Sequence, residues 1–158
     1  MSAATLASMR VAIGSDHAGF NLKGELYSLL DELRVEYRDF GTFDTDAVDY
    51  PDFIAPVARA VARGEFERGI VLGGSGTGEA IVANKVRGIR CVEAADPVTA
   101  RLGREHNDAN VLSMGARIVG TEIARACVRA FLEADFAGGR HVPRIEKISR
   151  IEAEEARG

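Results

Sequence analysis

The chain has 158 residues, 46% hydrophobic and 28% charged, a size and balance that fit one ordinary globular domain with a substantial core. Its formal charge of −4 excludes a wholesale nucleic-acid binder, whose basic face usually tips a domain positive, so an anionic ligand must be met by local cations. The longest apolar runs fall far short of the roughly 18 residues that a membrane span needs.

Residues 1–9, beginning MSAATLAS, have neither a basic start nor a continuous apolar stretch. They read as a short disordered lead rather than a signal peptide, and the cytoplasm is the expected location. Arg10–Gly14 (RVAIG) reads as a first strand. From Ala18 to Leu33, the residues Leu22, Leu26, Leu29, Leu30 and Leu33 fall at helical spacing and form one apolar stripe. Val35–Phe40 alternates as a strand does, and an acidic loop then leads through Asp46 and Asp49 to Pro51. Asp52–Arg63 is helical, with Ile54, Val57, Ala58 and Val61 on one face. Gly69–Leu72 (GIVL) is continuously apolar, as a strand buried on both faces should be. The glycine-rich segment GGSGTGE follows it directly.

Gly78–Val86 then reads as helix and Arg90–Ala94 as strand. Asp96 before Pro97 is an N-cap followed by proline at the first helical position, so a helix starts there and runs to about Glu105. Asn110–Met114 is a fifth strand, Thr121–Ala134 a helix, and Val142–Glu155 a last helix with Ile145, Ile148 and Ile151 along one side. Residues 152–158 form an acidic, solvated helix end. Cys91 and Cys127 have no metal-site spacing and read as small core residues. Five strands alternating with helices over residues 10–151 predict a single α/β domain. It is a doubly wound, Rossmann-like parallel sheet with helices on both faces and a C-terminal helix.

In such sheets a ligand sits beyond the carboxyl ends of the strands, where strand order reverses. The loops after the first and third strands, Ser15–Gly19 and Gly73–Glu79, lie on that edge. The third-strand loop is not a dinucleotide fingerprint, because Gly73, Gly74, Gly76 and Gly78 contain no G-x-G-x-x-G spacing. Nor is there a P-loop at Gly14–Gly19, since Phe20 and Asn21 occupy the Lys and Ser/Thr positions. What ends the loop is a carboxylate, Glu79. It reads either as a first-turn glutamate favoured by the helix dipole, worth roughly 0.3–1 kcal/mol, or as a functional group at the lip of a backbone-amide cradle. Its company favours the second reading. Asp16-His17, Ser75, His106-Asn107 and Arg140-His141 come from distant stretches, and all three histidines fall among them.

The segments SDHAGFNLK, DYPDFIAPVA, GIVLGGSGTGEAIVANKVRGIR, REHNDANVLSMGARIVG and GGRHVPRI together resemble the ribose-5-phosphate isomerase type B family, which includes galactose-6-phosphate isomerase subunits. The resemblance covers about Arg10 to Ile151 in unbroken order. It implies aldose–ketose isomerisation of a sugar phosphate through an enediolate, with neither metal nor organic cofactor. Family members take their carbon base either from a cysteine at position 73 or from a glutamate at position 79, and this chain, with Gly73 and Glu79, is similar to the second group. A carboxylate is ionised at neutral pH and accepts a proton from the carbon beside a carbonyl. Glycine-loop N–H groups then stabilise the oxyanion so formed.

By the same resemblance, His106 opens the furanose ring, with Asp16 assisting. Ser75 relays protons between the enediolate oxygens. His17, Asn107 and the loop residues Gly74, Gly76, Thr77 and Gly78 contact substrate, and Arg117, Arg140 and Arg144 hold the phosphate. Arg140 and Arg144 stand four apart at a helix start, so their guanidiniums can converge on one dianion; each arginine taken singly, without the motifs, reads rather as a solvated surface charge. Chain order adds an inference of its own. His106 follows a helix and precedes the fifth strand, so it belongs at the amino edge of the sheet, opposite the glycine loop. It can meet Glu79 only across a subunit boundary, which predicts a homodimer, or a dimer of dimers, with composite sites. Isomerisation of a four- or six-carbon sugar phosphate, or sugar-phosphate binding without catalysis, remain the competing readings.

Overall fold

Strands β1 (Arg10–Ser15), β3 (Arg68–Gly73) and β5 (Val111–Gly115) are buried along nearly their whole length, and hydrophobic continuity therefore sends them to the centre of the sheet. β2 (Glu36–Asp39) and β4 (Cys91–Glu93) alternate or stay partly exposed, as edges do. A computed structural model, which describes residues 1–157, gives five parallel strands in the order β2-β1-β3-β5-β4. The α/β fold read from the sequence is the fold observed.

Side-chain alternation divides the core in two. Val11, Ile13, Ile70, Leu72, Leu112 and Met114 point to one face. There they meet Leu22, Leu26, Leu29 and Leu30 of α2 (Phe20–Glu32), Ala100 of α5 (Pro97–Asn107), and Ala124, Val128 and Phe131 of α6 (Thr121–Glu133). Ala12, Val71 and Val111 point to the other, against Ile54, Val57, Ala58 and Val61 of α3 (Tyr50–Ala62) and Ala83 of α4 (Thr77–Asn84). β1 thus feeds a helix on one face, β3 a helix on the opposite face, and β5 again one on the first. The carboxyl end of β3 is flanked by a crevice on each side, and the glycine loop begins there.

The wall of this edge next to β1 is braced by Lys23, which the sequence reading passed over. Its side chain is fully buried, with Nζ 2.8 Å from Asp39 Oδ1 and also donating to the Thr42 carbonyl. Tyr27 Oη and the Gly41 N–H donate to the same Asp39 carboxylate, and burial raises the Tyr27 phenol well above its ordinary range. Lys23→Met leaves Asp39 without its cation but with two donors. The expected loss is about 3 kcal/mol, the lower end for breaking a buried pair, read as a lower urea midpoint with unchanged slope.

Two termini depart from expectation. The lead read as disordered carries a helix, α1 (Ala3–Ala7), N-capped by Ser2. Leu6 and Met9 enter the core beside α2 and α6, and the Met1 ammonium bonds the Glu133 carbonyl and Asp135. Two isolated apolar residues carry no periodicity, so only tertiary contact reveals their role. At the other end α7 (Val142–Glu155) has no buried residue. Its apolar side is uncovered, with Ile148 45% and Ile151 59% exposed. Glu152, read as solvated, accepts the Gly88 N–H at 2.9 Å. Among the described residues, no helix is long and apolar enough to cross a membrane.

Candidate active site

At the carboxyl edge the chain turns from β3 into α4 through Gly76, whose φ of 86° suits glycine. This left-handed turn lays the loop against β5: Ser113 Oγ donates to the Gly76 carbonyl, and the Ala116 and Arg117 N–H groups donate to Gly73 and Gly74. Glu79 then falls third in α4. A carboxylate at that position is placed toward the N-cap, as in half of a capping box, and the nearby N–H groups of Glu79 and Gly76 favour its ionised form. The helix-terminus reading and the functional reading of Glu79 therefore describe one geometry. Its carboxylate sits over the Cα of Gly73, in the space a β-carbon there would fill.

Around it opens a cleft of about 390 Å³ lined by Asp16, His17, Tyr50, Gly74, Ser75, Gly78, Glu79 and Arg117. Burial raises the Glu79 pKa, the charges of Asp16 and Glu93 add to the rise, and the two N–H groups oppose it. A group used as a base must be ionised, so kcat/KM is expected to fall on the acid side with a midpoint above the ordinary carboxylate value of 4.5. A pH–rate profile measures this. An acid limb at or below that value would place the base elsewhere.

The neighbours are set by local bonds. Asp16 is buried and accepts the Gly19 N–H at 3.0 Å. His17 Nδ1 accepts the Val48 N–H at 3.2 Å, which puts the proton of the neutral ring on Nε2. Ser75 is exposed to the cleft, its Oγ 3.2 Å from the Thr77 N–H. Thr77 faces away, its hydroxyl bonded to Glu93 at 3.0 Å, and neither it nor Gly76 lines the cleft. Tyr50, missed in the sequence, lies over Gly78 so closely that a β-carbon at 78 would stand 2.9 Å from the ring. Nothing in its spacing distinguishes it from any residue before a helix-initial proline.

The remaining residues gather elsewhere. His106 and Asn107 form the last turn of α5, so His106 lies within the helix rather than after it. Its ring stacks on His141 with centroids 4.5 Å apart. Arg140 and His141 belong to a 3-10 turn, Gly139–His141, that runs into α7, whose first turn carries Arg144. Burial, then the charges of His106, Arg140 and Arg144, lower the His141 pKa. β3 and β5 run parallel with Gly69 opposite Val111 and Gly73 opposite Gly115. This second cluster therefore lies a strand length away from Glu79, on the order of 15 Å at 3.3 Å per residue. His106, Asn107, Arg140 and Arg144 do not line the Glu79 cleft. The cysteines lie apart from it too: burial raises both thiols, Cys127 to about 11.

A family model described as Ribose/Galactose Isomerase matches residues 11–148. The chain belongs to that family. Among its relatives, ribose-5-phosphate isomerase B of Escherichia coli (strain K12) is 48% identical over 143 residues, covering 90% of this chain and 96% of its own. The structure of Clostridium thermocellum ribose-5-phosphate isomerase B matches with a TM-score of 0.91 at 49% identity, over 93% of this chain and 99% of that one. A Mycoplasma genitalium ribose-5-phosphate isomerase B with bound ribulose-5-phosphate matches with a TM-score of 0.89 at 39% identity, over 93% and 98%. As a ribose/galactose isomerase, the chain is an enzyme, and the family match contains both residue clusters while leaving α1 outside.

Proposed function

We propose that this ribose/galactose isomerase interconverts ribose 5-phosphate and ribulose 5-phosphate through an enediolate. The observation that carries the reading is the buried Glu79 carboxylate, seated over Gly73 and facing a cleft with Asp16, Ser75 and Arg117. In this reading Glu79 takes the proton from C2 of the open-chain aldose. Loop N–H groups hold the oxyanion that develops at O1, Ser75 moves a proton between O1 and O2, and Glu79 returns its proton to C1. Burial suits the task, since a carboxylate stripped of water and raised in pKa is the stronger base. Arg117 meets the phosphate at the cleft, and neither a metal nor an organic cofactor takes part.

The second cluster supplies what this cleft lacks. His106, with Asp16 opposite, opens the furanose ring; Asn107 holds sugar hydroxyls, and Arg140 and Arg144 complete the phosphate site. These groups stand across the sheet from Glu79 in their own chain, so they reach it from a second copy. The uncovered Ile148 and Ile151 of α7 and the exposed Ile118 at the cleft mouth support such a pairing. Mixing Glu79→Gln with His106→Ala protein, each inactive alone, should restore activity in hybrid dimers, where one intact site can form. No recovery among subunits shown to exchange would end the composite-site reading. Substrate is tested with a panel of four-, five- and six-carbon aldose phosphates assayed for ketose; best turnover with another member would move the assignment to that sugar.

A further inference from the structure

The turn that carries His106 and Asn107 is held by an arginine far from it in sequence. α5 ends at Asp108, a non-glycine residue in the left-handed region with φ 47°. A helix end of this kind leaves carbonyls without partners and frays unless something caps it. Here Arg90, on the segment entering β4, donates Nε to the Asn107 carbonyl at 2.9 Å and Nη2 to the Asp108 carbonyl at 2.8 Å. The same Nη2 is 2.9 Å from Asp108 Oδ2. From inside the helix the buried Arg104 donates Nη1 to Asp108 Oδ1 at 2.8 Å and to the Ala109 carbonyl. The Asp108 carboxylate is thus shared between two guanidiniums, and the Asn107 carbonyl that ends the helix has a donor. Arg90 is itself braced on both backbone sides by Asn110: its N–H donates to Asn110 Oδ1 at 2.9 Å, and its carbonyl accepts the Asn110 N–H at 3.0 Å.

We infer that Arg90, through Asp108, is a positioning residue for the ring-opening half of the reaction: it fixes the turn that presents His106 and Asn107, and has no part in carbon–hydrogen cleavage. The inference rests on the isomerase reading above. Planar guanidinium geometry spans a carbonyl pair and a carboxylate at once, which a single ammonium or an apolar side chain does not do. Losing it frees the turn to shift, and a displacement of about 1 Å in a catalytic group costs on the order of 10²-fold.

The chemistry separates this role from general damage. Ribose 5-phosphate is a furanose and must open, whereas ribulose 5-phosphate is open-chain because its ring-closing oxygen is phosphorylated. Proton exchange at C1 of the ketose therefore needs Glu79 but not ring opening. Arg90→Met should lower turnover of ribose 5-phosphate by about 10- to 100-fold, while deuterium uptake from D₂O into C1 of recovered ribulose 5-phosphate, read at saturating ketose so that a weakened Asn107 contact does not enter, stays within about twofold of the parent rate. Both rates are read on one sample, so a smaller folded fraction cancels in their ratio. Equal loss of both rates, or loss of neither, overturns the positioning role. A parent enzyme that neither turns over ribose 5-phosphate nor exchanges the ketose would instead overturn the isomerase reading, and this inference with it.

Discussion

Glu79→Gln is expected to lower kcat by roughly 10²–10⁴-fold, the usual worth of a positioned base, with KM for the sugar phosphate changed little. The amide has nearly the same shape and keeps an oxygen facing the helix N-terminus, so the loop and the phosphate contacts should remain. A second readout follows from the raised pKa. In the folded protein the ionised form is disfavoured, so Glu79 contributes stability below the ordinary value of 4.5 and loses it as pH rises through the folded value. Glu79→Gln removes that loss. Its thermal midpoint should therefore exceed the parent's at neutral pH, with the gap closing toward pH 4.5 and below. A variant that is both less active and more stable identifies a charge buried for chemistry. Unchanged turnover would leave Glu79 as a helix-terminus residue only.

Gly73→Ala should do comparable damage to kcat by a different route. The backbone at 73 is ordinary strand, and no positive φ demands glycine there. What demands it is room, because a β-carbon at 73 would stand where the Glu79 carboxylate is. The methyl group drives the base out of position, and a shift of about 1 Å is worth on the order of 10²-fold. The double variant Gly73→Ala/Glu79→Gln should be scarcely slower than either single one, since both remove the same function. Additive losses would mean that Gly73 acts through something other than the base. The same steric fact fits the two patterns that the resemblance implies, since in this chain a side chain at 73 and a carboxylate folded back from 79 would compete for one volume.

Much of this was legible in the chain. The apolar continuity of Ile70–Leu72 against the alternation of Val35–Phe40 separates central from edge strands, and the Asp96-Pro97 pair marks the start of α5, where Asp96 does cap Thr99 at 2.8 Å. The polar clusters at 16, 75, 79 and 106 stand out in the chain, and it is the family resemblance that implies carbonyl chemistry for them. Other parts were closed to it. Tyr50, Lys23 and Leu6 have no periodic signature, because their roles come from partners distant in sequence: Gly78, Asp39 and the α2–α6 groove. Thr77 looks like any cradle residue until its hydroxyl is found on Glu93. Ile145, Ile148 and Ile151 spell an apolar side without saying what covers it.

Local sequence order determined the alternating elements, the parallel sheet and even the separation of His106 from Glu79, since a residue before a strand and a residue after its parallel neighbour must lie at opposite edges. Only the tertiary structure decided that the Glu79 carboxylate turns back over Gly73 and is stripped of water, and that Arg90 closes the turn beneath His106. Periodicity records which face of an element is apolar. Where a charged group ends, and how much water it keeps, depends on chain segments that meet only after folding.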